Sequence, residues 1–249
     1  MTSAQLIRLR DVSKRFANGT VALQGMSIDV GEHEFVSFLG PSGCGKSTAL
    51  RIIAGLTGLT SGEIDRPGGG DDIGFVFQEP TLMPWATVFD NVWLPLRLKG
   101  RSRRDAAAEI EATLDRVGLL QFAHVYPREL SGGMKMRVSI ARALVTKPRI
   151  LLMDEPFAAL DEMTRFRLND DLLGLWRDNR WTVVFVTHSV YESAYLSSRI
   201  VVMAARPGRV IADIAVDEPY PRTEDFRTTP RYNALCRAVS HKLHGAMDA

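Results

Sequence analysis

Cysteine is nearly absent from the sequence. Cys44 and Cys236 are the only two, too few for a disulfide framework and without a C-x-x-C pair for a metal. An excess of one charge sign is also missing. The 31 Lys and Arg against 29 Asp and Glu leave +2, so no basic field argues for nucleic acid or for a polybasic membrane anchor. Long hydrophobic runs are lacking too: none approaches the roughly 18 residues that span a bilayer. The longest, such as residues 200–205, are strand-sized. The first ten residues carry no apolar core of a secretory signal. There is no internal repeat, low-complexity linker or block of like charge. These absences predict a soluble, intracellular protein poor in metal sites. What is present is 249 residues, 45% apolar and 24% charged, enough for one or two domains with a large core.

Short apolar runs alternate with helix-like segments. Runs rich in Val, Ile and Phe lie at 34–39, 73–77, 150–153, 182–187 and 199–203. Those at 150–153 and 183–186 are continuous rather than alternating, as suits parallel strands covered on both faces. Ser102 and Asp105 form a capping-box pattern that opens a helix with Ile110, Leu114 and Val117 on one face, stopped by Gly118. A second helix from about Ser131 aligns Met134, Val138, Ala141 and Val145, and a third spans roughly 161–179. The pattern predicts an α/β fold with a mainly parallel sheet. Residues 6–10 and 21–30 read as strands joined by a turn at Asn18-Gly19, an antiparallel subdomain. Residues 81–145 read as a helical subdomain, 67–70 as a loop, and 217–249 as a short C-terminal appendage with a helix near 231–243.

Residues 40–47, Gly-Pro-Ser-Gly-Cys-Gly-Lys-Ser, match G-x-x-x-x-G-K-[ST] at every fixed position. They follow a predicted strand and precede an apolar helix, the context the motif requires. The glycines let backbone N–H groups turn inward, and the helix N-terminus adds positive potential. Lys46 would reach the β- and γ-phosphates, and the Ser47 hydroxyl would bind Mg²⁺. Cys44 occupies a variable position and is given no redox role. The strand at 150–153 ends in Asp154, which would hold Mg²⁺ largely through water. Glu155 follows and would polarise the attacking water as general base.

Leu130-Ser131-Gly132-Gly133 opens the second helix. Alone it reads more readily as a glycine N-cap on an amphipathic helix, since Ser and Gly are common caps. With the phosphate loop upstream and Asp154 downstream, the chain resembles the ATP-binding subunits of ABC transporters over residues 6–215. The resemblance implies the P-loop NTPase core of an ABC ATPase cassette, domain bounds of 1–216, and a homodimer in which one chain supplies half of each site. It implies ATP binding by Phe16, Gly40, Pro41, Ser42, Gly43, Cys44, Gly45, Lys46, Ser47 and Thr48, with Ser131, Gly132 and Gly133 reaching the opposite subunit's ATP. Phe16 alone would read as a strand aromatic. Gln78 matches a glutamine that touches Mg²⁺ and couples to the membrane subunit, so Ser47, Gln78 and Asp154 form the implied metal set. Ala159, Leu160 and Asp161 match the D-loop, which communicates across the dimer. His188 matches the switch histidine that holds Glu155 and water in line, though alone it would read as a structural hydrogen-bonding residue.

The segments 82–88 and 197–209 are similar to bacterial nitrate, sulfonate and taurine importer ATPases, and to related vitamin and pyrimidine-precursor systems. That likeness implies two integral-membrane permease subunits, an external substrate-binding protein, and a peripheral place on the cytoplasmic face of the inner membrane. Three departures stand out. Phe16 replaces Tyr, Ser189 replaces the Asp that commonly follows the histidine, and Met136 replaces Gln. The last predicts a missing polar contact near the opposite ATP. Rival classes are a soluble ABC ATPase outside transport and a GTPase. Against the first, there is neither a second cassette nor a long inserted coiled coil. Against the second, there is no N-K-x-D guanine-reading pattern. His33-Glu34 begins an H-E-x-x-H, but Ser37 stands at the second His position.

Overall fold

The computed structural model describes residues 5–67, 72–205 and 207–245. Gly68, Gly69 and Gly70 of the predicted loop, Arg206 and the last four residues of the predicted appendage lie outside them.

Two sheets frame the fold. The smaller has order β2-β1-β4, built from β1 (Gln5–Arg15), β2 (Val21–Gly31) and β4 (Ser61–Asp65), all antiparallel. β1 runs five residues past the predicted end. Asp11 adopts φ 48°, and the β1–β2 register shifts between Leu9 and Val12, so the side-chain alternation breaks there while pairing continues. The hairpin turns at Asn18-Gly19, with Gly19 at φ 86° and the Phe16 N–H donating to the Thr20 carbonyl at 2.9 Å.

The larger sheet comprises β3 (Phe35–Leu39), β5 (Ile73–Val76), β6 (Ile150–Asp154), β7 (Thr182–Thr187), β8 (Arg199–Ala204) and β9 (Arg209–Ala215), in the order β5-β6-β7-β3-β8-β9. All pairs are parallel except β8–β9. Every residue of β3, β6 and β7 is buried, which explains their unbroken apolar runs. One face packs against α1 (Lys46–Ile53) and the small sheet. The other packs against α4 (Gly132–Leu144), α5 (Glu162–Asn179) and α6 (Val190–Leu196). A separate core joins α2 (Val88–Leu98), α3 (Arg103–Arg116) and α4, burying Ile110, Leu114, Val117 and Val138. Ser102, Ser131 and Asp161 each accept a backbone N–H as N-caps of α3, α4 and α5.

The C-terminal segment is tied into this body. Arg222 is buried and donates to the carbonyls of Ala194, Tyr195, Ser197 and Glu218. α7 (Pro230–Gly245) buries Tyr232, Cys236 and Val239. The order β6-β7-β3 has one consequence for chemistry. It sets the C-terminal ends of three neighbouring parallel strands side by side, the edge where α/β sheets build their sites.

Candidate functional site

The loop leaving β3 wraps tightly because its glycines have no substitute. A Cβ on Gly40 would lie 2.5 Å from the Met203 carbonyl oxygen. Gly45 has φ +90°, and a Cβ there would lie 2.5 Å from the Ala22 carbonyl oxygen. β2 thus presses directly on the loop through Ala22. Cys44 is fully buried beneath the loop, and burial pushes its thiol pKa up. It is an inert packing group. Lys46, only 4% exposed, donates to the Gly40 and Pro41 carbonyls at 2.8 and 3.0 Å. Ser42 and Gly43 are exposed at the loop crest, and Ser47 and Thr48 lie half-buried in the first turn of α1.

β6 and β7 supply the opposing wall. Ser47 Oγ donates to Asp154 Oδ1 at 2.6 Å. Glu155 has φ 45°, a left-handed conformation that costs a non-glycine residue energy and concentrates at functional sites. Its N–H donates to the Val186 carbonyl at 3.0 Å, fixing the turn to β7. The carboxylate therefore stands between two partners. Oε1 lies 3.6 Å from Lys46 Nζ and Oε2 lies 3.3 Å from His188 Nδ1. Lys46, Ser47, Asp154, Glu155 and His188 are thus gathered from three strand ends.

Other sequence-predicted residues stand apart from this cluster. Gln78 is exposed beyond β5, and among the described residues no hydrogen bond joins it to the five. Phe16 is 41% exposed, with Lys14 Nζ 5.2 Å from its ring centroid. Ser131 and Gly132 are exposed at the head of α4. That end packs on the D-loop side: a Cβ on Gly132 would lie 3.3 Å from Leu160 Cδ2, and one on Gly133 would lie 2.7 Å from Thr164 Cγ2. Ala159 and Asp161 are exposed beside it. Met136 is 2% exposed and packs in the core with Phe157 and Leu168, so it offers no polar group at the head of α4.

Several supporting residues escaped the sequence reading. Arg142 donates to the Pro80 and Thr81 carbonyls, fixing the segment after Gln78. Asn91, fully buried, pins the 83–87 loop by accepting from the Met83 N–H and donating to the Met83, Ala86 and Thr87 carbonyls. Glu192 and Arg165 lie behind His188. The readable signal for Glu192 was a lone carboxylate four residues past the histidine, in an otherwise apolar helix.

Residues 23–158 match the ABC transporter family. The chain belongs to that family. A putative ATP-binding protein of Brucella abortus is 47% identical over 243 residues, covering 96% of this chain and 93% of the relative. The taurine import ATP-binding protein of Rhizobium johnstonii is 43% identical over 244 residues, covering 94% and 93%. A dimeric ATP-binding cassette solved in a post-hydrolysis state with ADP and phosphate is 34% identical. It has a TM-score of 0.73 and covers 86% of this chain and all of that one.

This ABC protein is therefore an ATP-binding, ATP-hydrolysing enzyme with the ABC cassette fold. No helix among its described residues is long and apolar enough to cross a membrane. The donor set fits Mg²⁺. The Ser47 hydroxyl and the Asp154 carboxylate are hard oxygen ligands set 2.6 Å apart, and this cation keeps several waters and binds protein through one or two side chains. Asp154 is 5% exposed, and burial pushes its carboxyl pKa up against the Ser47 hydrogen bond. A carboxylate so desolvated is stabilised by a facing cation.

Proposed function

We propose that the chain is the ATP-hydrolysing subunit of a bacterial importer of small molecules, of the nitrate, sulfonate, taurine or vitamin and pyrimidine-precursor type. It works as a homodimer on two permease subunits served by an external binding protein, at the cytoplasmic face of the inner membrane. Residues 1–216 form the ATP-binding domain, with a helical subdomain at about 81–145. Residues 217–249 are a short C-terminal appendage, in which Arg222 braces the end of α6. Taurine is the substrate in the name of one relative that matches nearly end to end.

The observation that carries the reading is the placement of Glu155 between Lys46 and His188. Backbone N–H groups of residues 42–48 cradle the phosphates, Pro41 having none to offer, and Phe16 stacks on the base. Lys46 exchanges its loop carbonyls for phosphate oxygens, a swap of acceptors that costs little because the ammonium is already desolvated. Ser47, Asp154 and Gln78 would hold Mg²⁺, which would neutralise phosphate charge. Glu155 accepts the proton of the attacking water, and His188 fixes that carboxylate and the γ-phosphate in line. Ser131, Gly132 and Gly133, at an exposed helix N-terminus, close the partner subunit's site. The D-loop residues Ala159, Leu160 and Asp161 meet the partner. The exposed Trp85, on the loop that Asn91 pins, gives a permease an aromatic anchor.

Expression beside its neighbouring membrane-protein genes tests the reading. The expected result is co-purification with the permeases and an ATPase rate that rises when the loaded binding protein is added. An active ATPase that captures no membrane protein would instead indicate an ABC ATPase outside transport.

A further inference from the structure

Behind His188 runs a chain of polar contacts that neither substrate nor metal chemistry requires. It begins in the D-loop. The Leu160 carbonyl accepts from Arg165 Nη2 at 3.0 Å. Arg165 Nε then faces Glu192 Oε1 at 3.7 Å. Neither atom has a hydrogen-bond partner, and Glu192 also feels the charges of His188 and Glu155. At 3.7 Å the contact is an ion pair, looser than a hydrogen bond. Glu192 is 7% exposed, so the pair lies where electrostatics are strong. Its second oxygen accepts from the Thr187 hydroxyl at 2.5 Å, and that same hydroxyl accepts the Ser189 N–H at 3.0 Å. Thr187 and Ser189 flank His188, and their contacts set the backbone that carries the imidazole. The imidazole in turn faces Glu155.

The start of this chain is itself braced. Gly132 packs on the Leu160 side chain and Gly133 on Thr164. The segment assigned to the partner's nucleotide therefore rests on the same residue that Arg165 grips. Arg165 and Glu192 also line a cavity of about 430 Å³, which leaves the guanidinium room to shift.

We infer that Arg165 and Glu192 are positioning residues that couple the D-loop to His188, so that docking of the signature segment on a partner aligns the catalytic apparatus of the chain's own site. This rests on the proposed role of His188. When the D-loop moves on dimer closure, Leu160 moves with it. Arg165 follows its carbonyl, and Glu192 transmits the shift through Thr187 to the imidazole.

The test uses the full-length protein and single-turnover ATP hydrolysis, with Arg165→Ala, Arg165→Lys, Glu192→Gln and His188→Ala, alone and combined. Arg165→Ala and Glu192→Gln are each expected to lower kcat by about 10–100-fold, the range for a misplaced catalytic group, with KM for ATP within about threefold. Arg165→Lys is expected to recover most of that loss. In the His188→Ala background, the same changes are expected to alter the residual rate by less than about twofold, because residues acting as a unit are non-additive. Full additivity in that background would overturn the coupling, as would losses confined to KM. If Glu192→Gln fails to fold, Arg165→Ala carries the test, since its side chain is 27% exposed. A His188→Ala protein with wild-type kcat would instead overturn the role given to the histidine, a separate failure.

Discussion

Glu155 Oε1 lies 3.6 Å from Lys46 Nζ, although 109 positions (155 − 46) separate the two in sequence. The contact exists because β3 and β6 both flank β7, and because φ 45° at Glu155 turns the carboxylate across their ends. Glu155→Gln preserves the shape and removes the proton acceptor. ATP binding is expected to persist while turnover falls by roughly 10²–10⁴, the worth of a general base. Phosphate release measured at saturating ATP checks this. A rate within threefold of wild type would refute the role.

Ser131 accepts from its own helix through Met134 N and is exposed at the helix head, with no hydrogen bond to the phosphate loop among the described residues. Ser131→Arg in one subunit of a mixed dimer is therefore expected to disable the site whose phosphate loop belongs to the other subunit. Nucleotide trapping with tagged subunits would show which site is lost. Loss confined to the mutant chain's own phosphate loop would refute the composite site.

Gly45 cannot become alanine without cost. The added Cβ would meet the Ala22 carbonyl oxygen at 2.5 Å, in a backbone conformation of φ +90°. Gly45→Ala is expected to destabilise the protein by about 1–3 kcal/mol, as overpacking does. It should weaken ATP affinity more than tenfold by displacing the loop N–H groups. Denaturant melts and nucleotide titration measure the two effects separately.

Glu109 on α3 pairs with Lys147 at 2.7 Å and with Arg101. These two cations, the Lys147 hydrogen bond foremost, hold its carboxyl below the usual glutamate range. A depressed carboxyl contributes stability above its unfolded pKa and loses it as pH falls through the folded value. Glu109→Gln is expected to cost roughly 1 kcal/mol near pH 7. The gap to wild type should start to narrow as pH falls to the unfolded glutamate value of about 4.3 and should close only below the depressed folded value. A gap constant with pH would contradict the assignment.

Arg222 holds four carbonyls inside the protein. Arg222→Met is expected to cost about 3 kcal/mol by leaving them unpaired. That lowers the melting temperature by roughly 6–12 °C for a chain of this size. Calorimetry checks it, and a shift under about 2 °C would show the C-terminal segment to be dispensable.

The buried parallel strands were legible because β3, β6 and β7 have nothing to alternate against. Edge strands were harder to read. β4, Ser-Gly-Glu-Ile-Asp, is almost wholly exposed and reads as loop, and β9 is half-exposed along its length. β4 carries no apolar run and β9 only a short one, and β4 pairs with β1, 48 positions (61 − 13) away in sequence. The same division holds at the site. The residues proposed to hold phosphate sit in a fixed local spacing, so the motif at 40–47 could be read directly. Glu192 and Arg165 act across 27 positions (192 − 165), and no local pattern announces such a pair.

Cys44 and Cys236 are both buried and unbridged. Cys44 sits beneath the phosphate loop with its Sγ 3.8 Å from Lys46 Nζ. No alkylating reagent can reach it while the loop keeps this shape. The rate at which that thiol is modified is thus a clock for how often the loop opens, and bound nucleotide should slow the clock without any label having been engineered into the chain.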